Sequence, residues 1–327
     1  MTAAAAAAAA DRPAIAVMYH YVRPDGAPIP GGIRPILVSE FERQLDYLAE
    51  HYTLAHPAEF LAWLDGEEIS AQKPACVLTF DDGTRDHAEV VTPILARRGI
   101  SGVFFVLTGP AEEGLMPLTH AVHWLLGQPD DVVWSLFRHH TRNNPALLGD
   151  AAEARRIYHY ESETRARIKY AANMALPPGT TKRIIDAVAR ESSTSLDALS
   201  DEWFVSDDQI RRMHAAGMTI GLHGHSHSSL QVLGPDGIRR EIEHGSAYLA
   251  RLTGQPPTWW ACPFGGSGAD DATIAAMRDA CRAAGLTAAV TTRKAPVPRG
   301  THALAVSRYD GIDLPPRKPT APAELMI

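Results

Sequence analysis

The chain has 327 residues, of which 45% are hydrophobic and 21% charged, a composition ordinary for a soluble globular protein with one large core or two smaller ones. Its formal net charge is −7, which argues against nucleic acid as the main partner, because phosphate binding needs a basic face. A neutral or cationic sugar is not excluded. The three cysteines, Cys76, Cys262 and Cys281, lie far apart and form neither a zinc nor a redox motif. Buried free thiols in a reducing compartment suit them best.

The N-terminus opens Met1-Thr2 and then eight alanines. It has no basic region, and alanine makes a weak hydrophobic stretch, so residues 1–12 read as a disordered extension and not a signal peptide. No run of about 18 strongly apolar residues occurs elsewhere, so no transmembrane helix is expected, and the expected location is cytoplasmic. The first strand is Ala14 to Tyr19. Ser39 is the expected cap of a helix whose Phe41, Leu45 and Leu48 recur at helical spacing. A short helix begins at Pro57, a residue suited to a first turn, and stops near Gly66. The second strand is Ala75 to Phe80, followed by a helix from Asp86 to Arg98 that Gly99 ends. The third strand is Gly102 to Thr108.

From about residue 110 to 205 the pattern is helical without clear strands and reads as an insertion. It is expected to shape a pocket or a subunit contact, which leaves a homo-oligomer open. Alternation resumes at Ser206 and Gln209, a capping box whose helix Gly217 ends. Then come a strand from Met218 to Leu222, a helix from Asp236 to Leu252 and a strand from Thr258 to Cys262. A helix from Asp270 to Ala284 and strands Leu286 to Thr291 and Ala303 to Ser307 complete the barrel region, residues 13–312. The proline-rich tail, 313–327, reads as irregular. Seven strands separated by helices imply a parallel sheet. The expected fold is an α/β protein, a distorted (β/α)7 barrel with a helical insertion; an open doubly wound sheet is the main alternative. No glycine-rich phosphate loop follows the first strand, which disfavours a nucleotide site.

Chemistry gathers at the strand ends, which share one mouth in a parallel barrel. His20 follows strand one, Asp81 and Asp82 follow strand two, and His223, His225 and His227 follow strand four. Two adjacent carboxylates after a strand cannot point the same way, so one suits a cation and its neighbour a proton. A capping pair before a helix is the plainer alternative. Histidines four apart can converge on one metal, with Asp82 as third ligand and open positions for water. The plainer reading is a helix-surface pair, although the following Ser228-Ser229 favours a loop. His225 is placed at the rim or behind the ligands. A metal so held lowers the pKa of bound water and polarises a carbonyl, and a spare carboxylate, Asp81, can take the water's proton. That describes hydrolysis of an acyl group. Zinc is the default ion from ligand type; cobalt, nickel or iron also suit.

These residues resemble the polysaccharide deacetylase family, also called carbohydrate esterase family four. Thr79-Phe80-Asp81-Asp82-Gly83 is similar to its first motif, His223 to His227 to its H-x-x-x-H metal motif, and Ala261-Cys262-Pro263-Phe264-Gly265 to its third. The resemblance implies Asp81 as catalytic base, Asp82, His223 and His227 as metal ligands, and the backbone at Phe264 as an oxyanion donor. Two departures stand out. Most members carry an arginine where this chain has Ala261; it orients the base, and Arg308, at the end of strand seven, is the candidate substitute. The usual acid histidine on a late strand is missing, whereas His20 ends strand one. That order resembles the circularly permuted branch acting on poly-N-acetylglucosamine and implies His20 as general acid, across the scissile bond from Asp81. A hydrogen-bonded core histidine is the plainer reading of His20. The expected activity is removal of an acetyl group from an N-acetylated amino sugar, as a small molecule or an oligosaccharide. The alternatives are hydrolysis of a formyl, ureide or cyclic amide group, and a non-catalytic carbohydrate-binding relative.

Overall fold

A computed structural model describes residues 12–29, 32–67, 73–159, 161–266 and 269–318. The expected disordered extension falls outside these residues except at Arg12, and so does the tail beyond 318. The chain divides into two compact units, one formed by residues up to 27, 35–113 and from 203 onward, the other by 28–34 and 114–202.

The first unit is built on a curled parallel sheet surrounded by helices. Its strands are β1 (Ile15–Tyr19), β4 (Thr53–Leu54), β5 (Ala75–Phe80), β6 (Val103–Val106), β7 (Thr219–Leu222), β8 (Trp259–Ala261), β9 (Ala288–Val290) and β10 (Tyr309–Asp310). Two further short strands, β2 (Val22–Arg23) and β3 (Ile36–Leu37), pair apart from it. The order is β10-β1-β5-β6-β7-β8-β9, with β4 against the start of β5. Every residue of β1, β5, β6, β8 and β9 is buried. Near-continuous apolar strands are what a parallel sheet covered on both faces requires.

The two faces differ in bulk. Ala14, Ala16, Val77, Val103, Phe105, Ala261, Ala288 and Val290 share one cluster. Tyr19, Phe80 and Phe104 point the other way, stacked with ring centroids 5.4 and 4.5 Å apart. They join Phe41, Leu45 and Leu48 of the helix Val38–His51. Alternation along each strand sends successive side chains to these two opposite faces. The fold is therefore the distorted (β/α)7 barrel that seven strand signals imply.

Several local expectations change. The run Ala303 to Ser307 is not a strand: Ala303–Ala305 form a 3-10 turn, whose Leu304 N–H bonds the His302 side chain at 3.1 Å. Val306 makes one parallel bridge to Val290 of β9, and β10 follows beside β1. Residues 306–310 thus touch both edges of the curled sheet, with Arg308 at the bend between them. Ser39 does not cap its helix, which starts one residue earlier. Instead its N–H and hydroxyl bond the Asp25 carboxylate at 2.9 and 2.6 Å. The helix after β5 begins as a π-helical turn, His87–Val91, before Thr92–Arg97. The helix expected at Asp236 starts at Leu230 and breaks its geometry at Gly234. Ser206 and Gln209 do form a capping box.

The second unit is helical among its described residues, with Asp130–His140 and Pro178–Glu191 its longest helices. Val133 and Phe137 of the first and Ile184, Ile185 and Val188 of the second are buried. No helix among the described residues is long and apolar enough to cross a membrane.

Candidate active site

Parallel pairing sends every strand's C-terminal end to one rim. Beyond β5, the Asp81 N–H still donates to the Tyr19 carbonyl of β1 at 2.9 Å, and then the chain turns. Asp82 has φ +79° and Gly83 φ +66°. A Cβ at Gly83 would also lie 3.1 Å from the Val106 Cα, so this turn needs glycine. The turn sends the two carboxylates to different partners.

Asp81 goes to Arg308. The guanidinium donates Nη1 and Nη2 to the two carboxylate oxygens at 2.6 and 2.8 Å. The same Nη1 reaches the Thr79 hydroxyl at 3.2 Å, and Nε donates to the Thr291 carbonyl at 2.9 Å. Arg308 is fully buried and Asp81 only 2% exposed. Burial by itself raises the Asp81 pKa; the charge and hydrogen bonds of Arg308, together with His223 and His20, outweigh it and hold the carboxyl below its ordinary value. Arg308 therefore stands where it can orient Asp81, a task for which Ala261 offers no side chain. Its contacts are with Asp81, Thr79 and Thr291, and the share in substrate binding also expected of Arg308 stays a proposal.

Asp82 goes to the histidines. His223 follows β7, and its Nδ1 lies 2.8 Å from the Ala261 carbonyl. An imidazole donating from Nδ1 keeps its Nε2 lone pair, which here lies 3.2 Å from Asp82 Oδ1. His227 Nε2 lies 3.5 Å from the same oxygen. Ligand atoms around a tetrahedral zinc with bonds of 2.0–2.1 Å stand about 3.3 Å apart. Two imidazoles and a carboxylate at this spacing fit a divalent cation, and these three are one of two such groups among the described residues. Burial opposes a charge on His223, yet the hydrogen bond to Asp82 and the charges of Asp81 and Asp82 raise its pKa.

The loop that carries these ligands is held from outside. Glu241 accepts from the N–H groups of His225 and Ser226 at 2.5 and 3.1 Å and from the Ser226 hydroxyl at 2.5 Å. Thr108 and Gly109 N–H groups donate to the Gly224 and His225 carbonyls, both at 3.0 Å. Such support limits ligand motion. Nothing local in the sequence points to Glu241, which sits a full helix turn or more beyond the motif. His227 and Phe264 join Asp82 in the left-handed region, at φ +58° and +56°. Non-glycine residues held there cost of order 1–3 kcal/mol each and gather at functional sites.

His20 follows β1 at the same rim, with its side chain 40% exposed and its Nε2 4.0 Å from Asp81 Oδ2. That separation leaves no room for a substrate group between these two atoms. His20 stands beside Asp81, and the expectation of an opposite face is corrected. Its carbonyl accepts from the buried His87 Nε2 at 2.7 Å, and burial lowers the His87 pKa to about 4. His87 thus stays neutral and buttresses the backbone of His20, a role hidden from sequence inspection because the π-helical turn that aims it has no simple pattern. Phe264 is 44% exposed, and its ring stands 4.8 Å from that of His227. Gly265 beside it has φ +64°, and a Cβ there would fall 2.1 Å from the Thr292 hydroxyl.

Comparisons with known proteins bear on the fold and the family. No curated protein matches the sequence significantly. Among solved structures, IcaB from Ammonifex degensii superposes with a TM-score of 0.58 at 19% identity, over 97% of this chain and 98% of that one. The deacetylase PplD of Streptococcus pyogenes, solved with acetate, gives 0.57 at 17%, over 91% and 92%. The de-N-acetylase of Aggregatibacter actinomycetemcomitans gives 0.53 at 18%, over 91% and 95%. At these identities the likeness concerns the fold. The sequence pattern of the polysaccharide deacetylases matches residues 68–159 and 174–288, more than half of the chain, taking in both the aspartate pair and the histidine cluster. On that match the chain belongs to the polysaccharide deacetylase family.

Proposed function

We propose that this protein is a metal-dependent N-deacetylase acting on an N-acetylated amino sugar or a short oligosaccharide of one. The observation that carries the proposal is the division of labour between two neighbouring carboxylates. Asp81 is committed to a buried arginine, and Asp82 to two imidazoles at metal-ligand spacing. A divalent ion held by Asp82, His223 and His227 supplies a Lewis acid for the acyl carbonyl and lowers the pKa of water. Zinc is the ion that two imidazoles and a carboxylate suit first, and cobalt, nickel and iron are compatible.

The rest of the chemistry belongs to the chain. Asp81, ionised at neutral pH beside Arg308, accepts the proton of the attacking water. Arg308 fixes the direction of its lone pairs. The backbone at Phe264, locked by the adjoining Gly265, is assigned to the developing oxyanion. His20, half-exposed at the same rim, delivers a proton to the departing amine, which is a poor leaving group without one. A reducing, cytoplasmic setting is part of the proposal; its support is that Cys76, Cys262 and Cys281 are all free and buried.

The test is Asp81→Asn assayed for acetate release from N-acetylglucosamine oligomers, with bound metal measured alongside. The expected result is undiminished metal and a rate lower by about 100-fold or more, the lower range of general-base effects. Turnover at the wild-type rate overturns the assignment of the base. A panel of formylated and ureide substrates run in parallel distinguishes sugar deacetylation from related C–N hydrolysis.

A further inference from the structure

A second group of ligand-type side chains lies outside the site just described. Glu112, His225 and His244 place one donor atom each within 4.8 Å of one another. Glu112 lies in the last turn of the helix Thr108–Glu113, and His244 lies on the helix Leu230–Thr253. His225 sits between the two histidines assigned to the first ion. His244 Nε2 is 2.7 Å from Glu112 Oε2, and the rings of His225 and His244 meet edge to face at 4.9 Å. Glu113 adds a second carboxylate 3.7 Å from His225 Nε2. Next to the cluster is a cavity of about 500 Å³ lined by His225, His244, Glu113 and Glu243 among others.

We propose that Glu112, His225 and His244 form a second divalent-cation site, of the class that zinc occupies. Three features carry this. The donors are two imidazoles and a carboxylate, the set that zinc and its neighbours prefer. His225 Nδ1 lies 3.1 Å from the Thr108 hydroxyl, which can accept the Nδ1 proton and so leave Nε2 for an ion, the part the Ala261 carbonyl plays for His223; metal-bound histidines are oriented in this way. A hydrogen bond between Glu112 and His244 alone is half-exposed, the kind of pair that contributes little, and it does not account for the convergence of His225. Arg251 stands 3.9 Å from the other Glu112 oxygen, leaving Oε2 to face the histidines. An ion here ties two helices to the residue between the two histidine ligands of the first site, so its occupancy stiffens that loop.

The test uses zinc as the probe and bound metal as the readout, independent of turnover. Full-length protein is stripped with a chelator, incubated with a small excess of zinc, desalted and analysed for metal per chain. The expected contents are two ions for the wild type and one each for His244→Ala and Glu112→Gln, both changed at exposed positions that the fold tolerates. His223→Ala, which removes a ligand of the first site only, keeps one ion, and combining it with His244→Ala leaves none. The proposal is overturned if His244→Ala and Glu112→Gln both carry as much zinc as the wild type, or if His223→Ala alone carries none. The His223→Ala arm separates failure of this site from failure of the first.

Discussion

Replacing Arg308 should move the pH dependence of the enzyme, and not merely weaken it. The arginine makes two charge-assisted hydrogen bonds to Asp81 and is itself fully buried. In Arg308→Met the carboxylate stays buried without its partner. Breaking a buried pair in this way costs about 3–5 kcal/mol, or a fall in Tm on the order of 5–10 °C for a chain of this size. Asp81 escapes part of that cost by taking up a proton, because burial favours the neutral acid once the guanidinium is gone. The sign follows. In the wild type the Asp81 pKa is depressed, so the base is ionised, and its pair contributes to stability, throughout the range above its ordinary value of 3.8, both being lost as pH falls further. In Arg308→Met the acid limb of kcat/KM moves to higher pH, and activity at neutrality falls about 100-fold or more, recovering partly as pH is raised. Arg308→Lys keeps the charge but loses the two-pronged geometry. It should restore the acid limb and leave a lower plateau. The assay is acetate release across pH with bound metal measured in each variant, which should not change. An Arg308→Met variant that loses rate but keeps the wild-type acid limb would refute the coupling and leave Arg308 a packing role.

His223→Ala and His227→Ala should each lose the ion of the first site while retaining secondary structure, which metal analysis and circular dichroism check together; retention of that ion in both would remove the ligand assignment. His20→Ala should retain metal and lose activity on amides more than on activated esters, whose leaving groups need little protonation, and equal losses on both would point to a structural role. His87 tests the support behind His20. Its pKa of about 4 against an ordinary 6.5 means that the unfolded chain takes up a proton first, so its contribution is complete above pH 6.5 and declines by up to about 3 kcal/mol as pH falls to 4. Denaturant titrations over that range should show a shallower slope for His87→Gln than for the wild type, and parallel slopes would contradict the reading.

The sequence by itself determined what depends on neighbours along the chain. The apolar runs of β1, β5 and β6 are legible because a strand covered on both faces must be apolar throughout. Asp81-Asp82-Gly83 and His223 to His227 are legible because a turn after a strand and a spacing of four bring donors together locally. The capping box at Ser206 is likewise complete within four residues. The tertiary structure alone decided what depends on distant partners. Ala303 to Ser307 begins as the short apolar run of a buried strand, yet the His302 side chain closes a turn there and the sheet edge is taken by Tyr309–Asp310. Arg308 meets Asp81 across 227 positions of sequence. That pairing exists because residues 306–310 run between β9 and β1, the two strands left at the open edges of the curled sheet. His87 is aimed by a π-helical turn, and Glu241 and His244 reach the ligand loop from a helix that the barrel packs beside it. Local spacing specifies which donors are available. Closure of the sheet specifies which charge stands beside which, and hence which carboxylate meets the arginine and which the two histidines.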